Sequence, residues 1–212
     1  MKRALAVALL LIALSVFALS LGAADVVQSW KYILDPFSNS ANSAHQIIWE
    51  IRAPRIAAAL LVGASLGIAG VLAQGSTNNP LADPAILGTS AGAALGVLLG
   101  VLFNIVSIGS IGAVICAAIG ALLATFLTFS LARSALQLIT IGIGVSAILT
   151  AIVGLTITVI SRPDARSISF WSFGSLALVT PKSLLMLAPV LVIATALAWK
   201  IAPSLDLLSL GD

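Results

Sequence analysis

Residues 52–100 decide the architecture of this chain, and they read RAPRIAAALLVGASLGIAGVLAQGSTNNPLADPAILGTSAGAALGVLLG. Two arginines flank a proline, and an apolar run long enough to cross a bilayer follows. A polar segment with two prolines, residues 78–84, then separates this run from a second apolar run in which glycine recurs at every fourth position. This order predicts two membrane-spanning helices joined by a helix-breaking turn, because proline cannot continue a helix interior.

The composition of the whole chain also indicates a membrane protein. Of 212 residues, 60% are hydrophobic and 8% are charged, whereas soluble domains carry roughly 25% charged residues. The net charge of +3 is small and scattered, so nucleic acid is not an expected partner. A single cysteine cannot form an intrachain disulfide, and a single histidine excludes a histidine-based metal cluster. We therefore expect an integral membrane protein without a metal site.

Uncharged runs divide residues 1–212 into about six predicted spans of one membrane domain. Each crossing needs roughly 20 apolar residues, and backbone groups in lipid must be satisfied internally, so we expect an all-α, polytopic fold. The predicted helices cover residues 4–24, 55–77, 85–104, 109–132, 136–160 and 183–202. Residues 4–24 also resemble a secretory signal peptide. The apolar region of a signal peptide is usually shorter than this run, about 7–15 residues, so an uncleaved first helix is favoured.

The basic residues Lys2 and Arg3 favour a cytoplasmic N-terminus, and six spans then bring both ends to the cytoplasm. This orientation leaves more basic residues outside than inside, which opposes the usual bias. The outer ones are Lys31, Arg52, Arg55, Arg162, Arg166 and Lys182, and the inner ones are Lys2, Arg3, Arg133 and Lys200. The outer arginines therefore need a role of their own.

Two sets of residues allow both a structural and a functional interpretation. Arg52 and Arg55 share one helix face, where they either snorkel to the interface or bind an acidic partner through bidentate contacts. Glycines at every fourth position also share a face. They either pack closely on another helix or form a smooth wall of a translocation path. These glycines are Gly88, Gly92, Gly96 and Gly100.

No sequence pattern predicts an enzyme, and no catalytic residue is expected. The phosphate-binding pattern Gly-x-x-x-x-Gly-Lys-Ser/Thr is missing from the sequence, so ATP hydrolysis by this chain is not expected. Charged residues are nearly absent from the predicted spans, which argues against a pump that uses buried carboxylates.

The order of these motifs resembles the permease subunits of binding-protein-dependent ABC importers for iron-siderophores, haem and vitamin B12, the FecCD/BtuC-type family. The matching motifs are Arg52-Ala53-Pro54-Arg55, Asn79-Pro80-Leu81-Ala82-Asp83-Pro84, Trp171-x-x-Gly174-Ser175 and the ending Leu205 to Asp212. Such permeases usually have about ten spans. The resemblance therefore implies an N-terminal portion, without the coupling helices and the remaining spans.

The resemblance implies a role for each motif. Arg52 and Arg55 would dock acidic residues of a periplasmic or lipid-anchored substrate-binding protein. A cytoplasmic gate would include Asn79, Pro80, Leu81 and Asp83, with a looser second match at Ser134 and Gln137. A periplasmic element at residues 166–180 would include Trp171, Gly174 and Ser175. The ATPase-coupling segment would start at Leu210, Gly211 and Asp212.

We expect the membrane subunit of an ABC importer for iron-siderophore complexes in the bacterial cytoplasmic (inner) membrane. Its partners would be the binding protein, a separate ATP-binding subunit that uses ATP, a second permease chain in a homo- or heterodimer, and membrane lipid. No cofactor bound by this chain is expected. A non-transporting scaffold or remnant is the first alternative, and part of a secondary transporter is the second. Because the coupling segment starts where the sequence stops, we expect no transport by these 212 residues alone, with the glycine faces left against lipid.

Overall fold

The computed structural model describes residues 2–22, 29–35, 43–77, 79–80, 82–159, 174–177 and 179–209. This part of the chain is helical and contains no strand. Its α-helices are α1 Lys2–Ser20, α2 Ser29–Leu34, α3 Ser43–Gln46, α4 Ala53–Thr77, α5 Thr89–Leu102, α6 Ile111–Leu131, α7 Ala135–Val159 and α8 Pro181–Ser209. A π-helical segment, Ile47–Arg52, joins α3 to α4, and a 3₁₀ turn, Pro84–Leu87, precedes α5.

Five helical stretches in this part of the chain are long and apolar enough to cross a membrane. They are Lys2–Ser20, Ser43–Thr77, Ile111–Leu131, Ala135–Val159 and Pro181–Leu205. Helix α5 is apolar too, but its 14 residues extend only about 21 Å at 1.5 Å per residue. The predicted fold class, an all-α polytopic membrane protein, is confirmed, and the described residues supply five helices of spanning length and the shorter apolar helix α5 where about six spans were predicted.

One compact unit comprises Met1–Gly63 and Leu176–Leu185. Within it, the indole Nε1 of Trp49 donates a hydrogen bond to the carbonyl oxygen of Tyr32 at 2.8 Å, which ties the π-helical segment to α2. The side chain of Ile48, on the same segment, is fully buried. Residues 29–34 and 43–52 are therefore helical, although no predicted span included them.

The second membrane helix starts earlier than the predicted residue 55. Helical structure is continuous from Ser43, because the π-helical segment leads directly into α4. Pro54 has no N–H to donate, and the backbone before it is wound more widely than an α-helix: the N–H of Ala53 reaches the carbonyl oxygen of Ile48, five residues earlier. The wider winding thus carries the chain into the proline without a break.

The other compact unit comprises Ala64–Ser175 and Met186–Asp212. Helix α5 packs along α6, and α7 lies against both α5 and the 3₁₀ turn. Leu98 and Val101 of α5 and Val153 of α7 form a buried apolar cluster. This three-helix arrangement positions the polar segment between α4 and α5.

Helix α5 is shorter than the predicted range of 85–104. Residues 84–87 form the 3₁₀ turn instead, and Gly88 then takes a φ of 83°, which favours glycine because it has no Cβ. At the other end, Asn104 takes a φ of 55°, a left-handed conformation that asparagine tolerates better than most residues. The N–H groups of Ile105 and Val106 both turn back to the carbonyl oxygen of Gly100, at 2.9 and 3.1 Å.

Helix α8 is longer than the predicted range of 183–202, since it runs from Pro181 to Ser209 with Pro189 and Pro203 inside it. Membrane helices tolerate such prolines when neighbouring groups satisfy the freed carbonyls. Of the predicted periplasmic element, residues 166–173 and 178 lie outside the described residues. Gly174 takes a φ of 78° at the start of a turn.

Candidate functional site

The candidate gate lies between α4 and the 3₁₀ turn, and its described residues are held by local hydrogen bonds. The N–H of Asn79 donates to the carbonyl oxygen of Gln74 at 3.2 Å, and the N–H of Ala82 donates to that of Asn79 at 3.1 Å. The carboxylate Oδ1 of Asp83 accepts from the N–H of Ala85 at 2.8 Å. Asp83 thus caps the 3₁₀ turn, as aspartate commonly does at helix starts, and Leu81 lies outside the described residues.

The second candidate gate pair, Ser134 and Gln137, forms a capping motif at the start of α7. The hydroxyl oxygen of Ser134 accepts from the N–H of Gln137 at 3.3 Å. The amide oxygen Oε1 of Gln137 reaches back to accept from the N–H of Arg133 at 2.9 Å. This pattern is a variant of the Ser-x-x-Gln capping box, in which the glutamine side chain accepts from the residue before the N-cap and not from the N-cap itself. Both residues therefore satisfy backbone N–H groups at the start of α7.

Arg52 and Arg55 lie in one cleft but in different environments. The cleft has a volume of about 390 Å³, and its walls come from the end of α1, the π-helical segment and the start of α4. Arg52 is only 8% exposed, and its Nη1 donates to the carbonyl oxygen of Leu19 at 2.9 Å. Because Leu19 is in the last turn of α1, the guanidinium lies at the negative end of that helix dipole.

Arg55 is exposed, and its Nη2 donates to the carbonyl oxygen of Ala177 at 2.8 Å. The two arginines were predicted to share a face and a role. The structure separates them into a buried arginine that holds α1 and an exposed arginine at the cleft surface.

The glycines of α5 face α6. A Cβ at Gly92 or Gly96 would collide with the carbonyl oxygen of Gly120 or of Cys116, and a Cβ at Gly100 would approach the thiol of Cys116 to 3.0 Å. Gly92 and Gly96 therefore allow the backbones of α5 and α6 to touch, and Gly100 leaves room for the side chain of Cys116. The expectation that this face is left against lipid is wrong for the described chain, because α6 covers it. Gly88 lies outside α5, in the turn before it.

An apolar groove of about 380 Å³ runs beside this helix contact. Its walls include the large side chains of Leu99, Phe103, Ile119, Leu123 and Leu127. Several of these are well exposed, including Phe103 at 67% and Leu123 at 63%. Such a surface suits contact with lipid or with another apolar helix.

Sequence reasoning missed the residues that face the 3₁₀ turn from the neighbouring helices. Thr128 of α6 is fully buried, and Gly142 of α7 lies against the backbone of the turn. The available signal was weak: a hydroxyl in an apolar run, and one glycine among several. Among the described residues, no group of three or more His, Cys, Asp or Glu side chains is placed to hold a metal ion.

Two further predicted sites, the periplasmic element and the start of the coupling segment, fall partly or wholly outside the described residues. Trp171, Leu210, Gly211 and Asp212 lie outside them. Gly174 and Ser175 are described, in a turn that precedes α8. Their predicted roles remain predictions.

Comparisons with known proteins agree with the motifs. A model of the FecCD transport family matches residues 8–212. The chain is 34% identical over 201 residues to the iron(3+)-hydroxamate import system permease protein FhuB of Bacillus subtilis, covering 92% of this chain and 52% of that protein. It is 33% identical to the hemin transport system permease protein HmuU of Yersinia pestis, covering 92% of this chain and 60% of that protein. It is also 33% identical to the vitamin B12 import system permease protein BtuC of Klebsiella pneumoniae, covering 78% of this chain and 50% of that protein.

A solved structure shares the fold. It shows, in an inward-facing conformation, a protein assigned to the metal-chelate type of ABC transporter. The TM-score is 0.77 at 29% identity, over 99% of this chain and 65% of that one. The chain spans about half the length of the curated relatives it matches. The predicted resemblance is confirmed, and the chain belongs to the FecCD transport family.

Proposed function

We propose that this chain works as the membrane-spanning permease subunit of a binding-protein-dependent ABC importer for iron-siderophore complexes. The observation that carries the proposal is the family match along residues 8–212. Relatives whose names specify iron or haem support the substrate class: FhuB, HmuU and the iron-uptake system permease protein FeuB of Bacillus subtilis. Other relatives are named for vitamin B12 and molybdate, so the uptake test must compare substrates.

The partners follow from this role. A periplasmic or lipid-anchored binding protein would deliver the chelate to the outer face, and two permease chains would enclose the path. A separate ATP-binding subunit would hydrolyse ATP, and the coupling contact would begin at Leu210, Gly211 and Asp212. The location would be the bacterial cytoplasmic (inner) membrane, with the N-terminus in the cytoplasm.

The two arginines would have different roles in docking. Arg55 is exposed at the cleft and has further N–H donors for a carboxylate of the binding protein, since a guanidinium carries five. Arg52 is buried against α1 and would hold the end of α1 in place as one wall of the cleft. Trp171, Gly174 and Ser175 would belong to a periplasmic element of the permease. We therefore place the partner's acidic contact at Arg55.

The cytoplasmic gate would consist of residues 79–83, with Asn79, Pro80, Leu81 and Asp83, and of Ser134 and Gln137 at the start of α7. Both segments join membrane helices and are fixed by local caps. The glycines of α5 would act on the translocation path indirectly, because their contact with α6 sets the distance between these two helices.

The test is uptake in liposomes that hold the protein as its gene encodes it, with its ATPase and binding protein. We expect ATP-dependent accumulation of a radioactive ferric siderophore, and competition by unlabelled ferric siderophore but not by haem, cyanocobalamin or molybdate. An ATPase whose phosphate-binding lysine is replaced provides the matched control. Binding of the partners without any ATP-dependent uptake would favour the scaffold. Competition by one of the other substrates would overturn the iron-siderophore assignment alone.

A further inference from the structure

The 3₁₀ turn directly follows the candidate gate, and Asp83 connects the two. Asp83 ends the gate segment, defined as residues 79–83, and its carboxylate caps the turn through the N–H of Ala85 at 2.8 Å. Thr89 closes the other side, because its hydroxyl donates to the carbonyl oxygen of Pro84 at 3.0 Å. A displacement of the turn therefore displaces the end of the gate segment.

Three successive carbonyl groups of this turn meet residues of α6 and α7. The hydroxyl of Thr128 lies 3.1 Å from the carbonyl oxygen of Leu87 and 3.0 Å from that of Ala124 in its own helix, so its proton is shared between them. The hydroxyl of Ser146 donates to the carbonyl oxygen of Ala85 in a longer contact of 3.4 Å.

The middle carbonyl, that of Ile86, lies against Gly142. A Cβ at position 142 would collide with this oxygen and would lie 3.3 Å from the Cα of Leu87. Only glycine lets α7 approach the turn so closely. Thr128 is 0% exposed, so water cannot replace its contact with Leu87 while the turn stays in place.

We propose that Thr128, Gly142 and Ser146 are positioning residues that fasten the gate segment to α6 and α7. Helix α7 then carries both candidate gate segments, because Gln137 of the second pair precedes Gly142 by five residues, about 7.5 Å along the helix axis. A movement of α7 would shift both segments together. The role as a gate rests on the proposed function, whereas the fastening is a property of the described residues that can be measured without transport.

The test measures the rate at which a hydrophilic maleimide labels a single cysteine in the gate segment. Asn79→Cys is introduced into the protein with Cys116→Ala and reconstituted in liposomes. Thr128→Val removes the hydroxyl and keeps the shape, and we expect labelling about fivefold faster, the shift produced by losing one hydrogen bond of ordinary net strength. Thr128→Ser restores the hydroxyl and should return the rate to that of the parent.

Matched controls separate fastening from general loosening. Thr125→Val removes a hydroxyl that donates to the carbonyl oxygen of Ala121 in the same helix, so the rate should stay at the parent value. Gly142→Ala should accelerate labelling, whereas Gly144→Ala, with nothing within 4 Å of its added Cβ, should not. Equal effects of Thr128→Val and Thr125→Val would overturn the proposal.

Ser146→Ala covers the case in which the buried variants do not fold, because Ser146 is only half-buried. It should accelerate labelling in the same direction, and an unchanged rate in a folded Ser146→Ala protein would contradict the proposal. Uptake is measured separately. Faster labelling without ATP-dependent uptake in the parent protein would leave the fastening in place and refute the transport role.

Discussion

At the scale of single residues, glycines in the described helices can have very different surroundings that sequence spacing does not separate. Gly96 meets the backbone of α6, whereas Gly63 in α4 has nothing within 4 Å of an added Cβ. Gly96→Ala should lower the free energy of unfolding by about 1–3 kcal/mol, as overpacking typically does. Gly63→Ala should leave it unchanged or raise it by about 0.5–1 kcal/mol through helix propensity. Titration with sodium dodecyl sulfate in mixed micelles, followed by tryptophan fluorescence, measures the difference, and equal values would refute the close contact.

The two arginines provide a second comparison. Arg52→Gln should lower the free energy of unfolding by about 1–3 kcal/mol, because it removes a buried guanidinium that donates to the carbonyl oxygen of Leu19 in α1. Arg55→Glu should leave stability nearly unchanged and weaken association with the binding protein by about 2–5 kcal/mol, the cost of breaking a desolvated charge pair on one side.

Association is measured by surface plasmon resonance on protein in nanodiscs, and stability by the same detergent titration. Recovery of affinity by a reversed charge on the partner supports the pairing. If Arg55→Glu binds as well as the parent, Arg55 is not the docking residue.

The sequence predicted the glycine face of α5 but not the helix that packs against it. The four-residue spacing of Gly92, Gly96 and Gly100 predicted one close-packed face. It could not show that Gly120 of α6 lies opposite, because periodicity describes one helix at a time. The burial of Arg52 could not be predicted either, because its contact is with Leu19 of α1, 33 residues earlier in the sequence.

At the scale of elements, uncharged runs located the long helices well and their ends less well. The π-helical segment and the 3₁₀ turn were missed because the first ends two residues before Pro54 and the second begins at Pro84, and prolines in the sequence alone favour a simple break. At the 3₁₀ turn, the carboxylate of Asp83 accepts from the N–H of Ala85, and the hydroxyl of Thr128 in α6 donates to the carbonyl oxygen of Leu87. Local propensity therefore predicted where α-helix ends, and tertiary contacts determined what replaced it.

The start of α7 gives a prediction at this scale. Ser134→Ala removes the hydroxyl that accepts from Gln137, and loss of such a cap costs roughly 1 kcal/mol. Ser130→Ala is the matched control, because its exposed hydroxyl only donates to the carbonyl oxygen of Leu127 in its own helix. Hydrogen exchange measured by mass spectrometry should show faster exchange at residues 135–138 in Ser134→Ala alone. Equal protection in both variants would show that Ser134 does not hold the helix start.

At the scale of the whole molecule, the roles proposed for the arginines and for the gate segment require opposite sides of the membrane. If the N-terminus is cytoplasmic, α5 runs outward, so the exposed Ser107 between α5 and α6 is external. Asn79, at the end of α4, is then internal. Lys2 and Arg3 favour this orientation, although it places more basic residues outside than inside.

Single cysteines at these two positions, in the Cys116→Ala background, test the orientation in whole spheroplasts. A membrane-impermeant maleimide should label Ser107→Cys at once and should label Asn79→Cys only after the membrane is permeabilised. The opposite pattern would place Arg55 in the cytoplasm, out of reach of an external binding protein. It would refute the docking proposal while leaving the contacts of Thr128 and Gly142 with the 3₁₀ turn untouched, because those depend on packing within the chain and not on which side it faces.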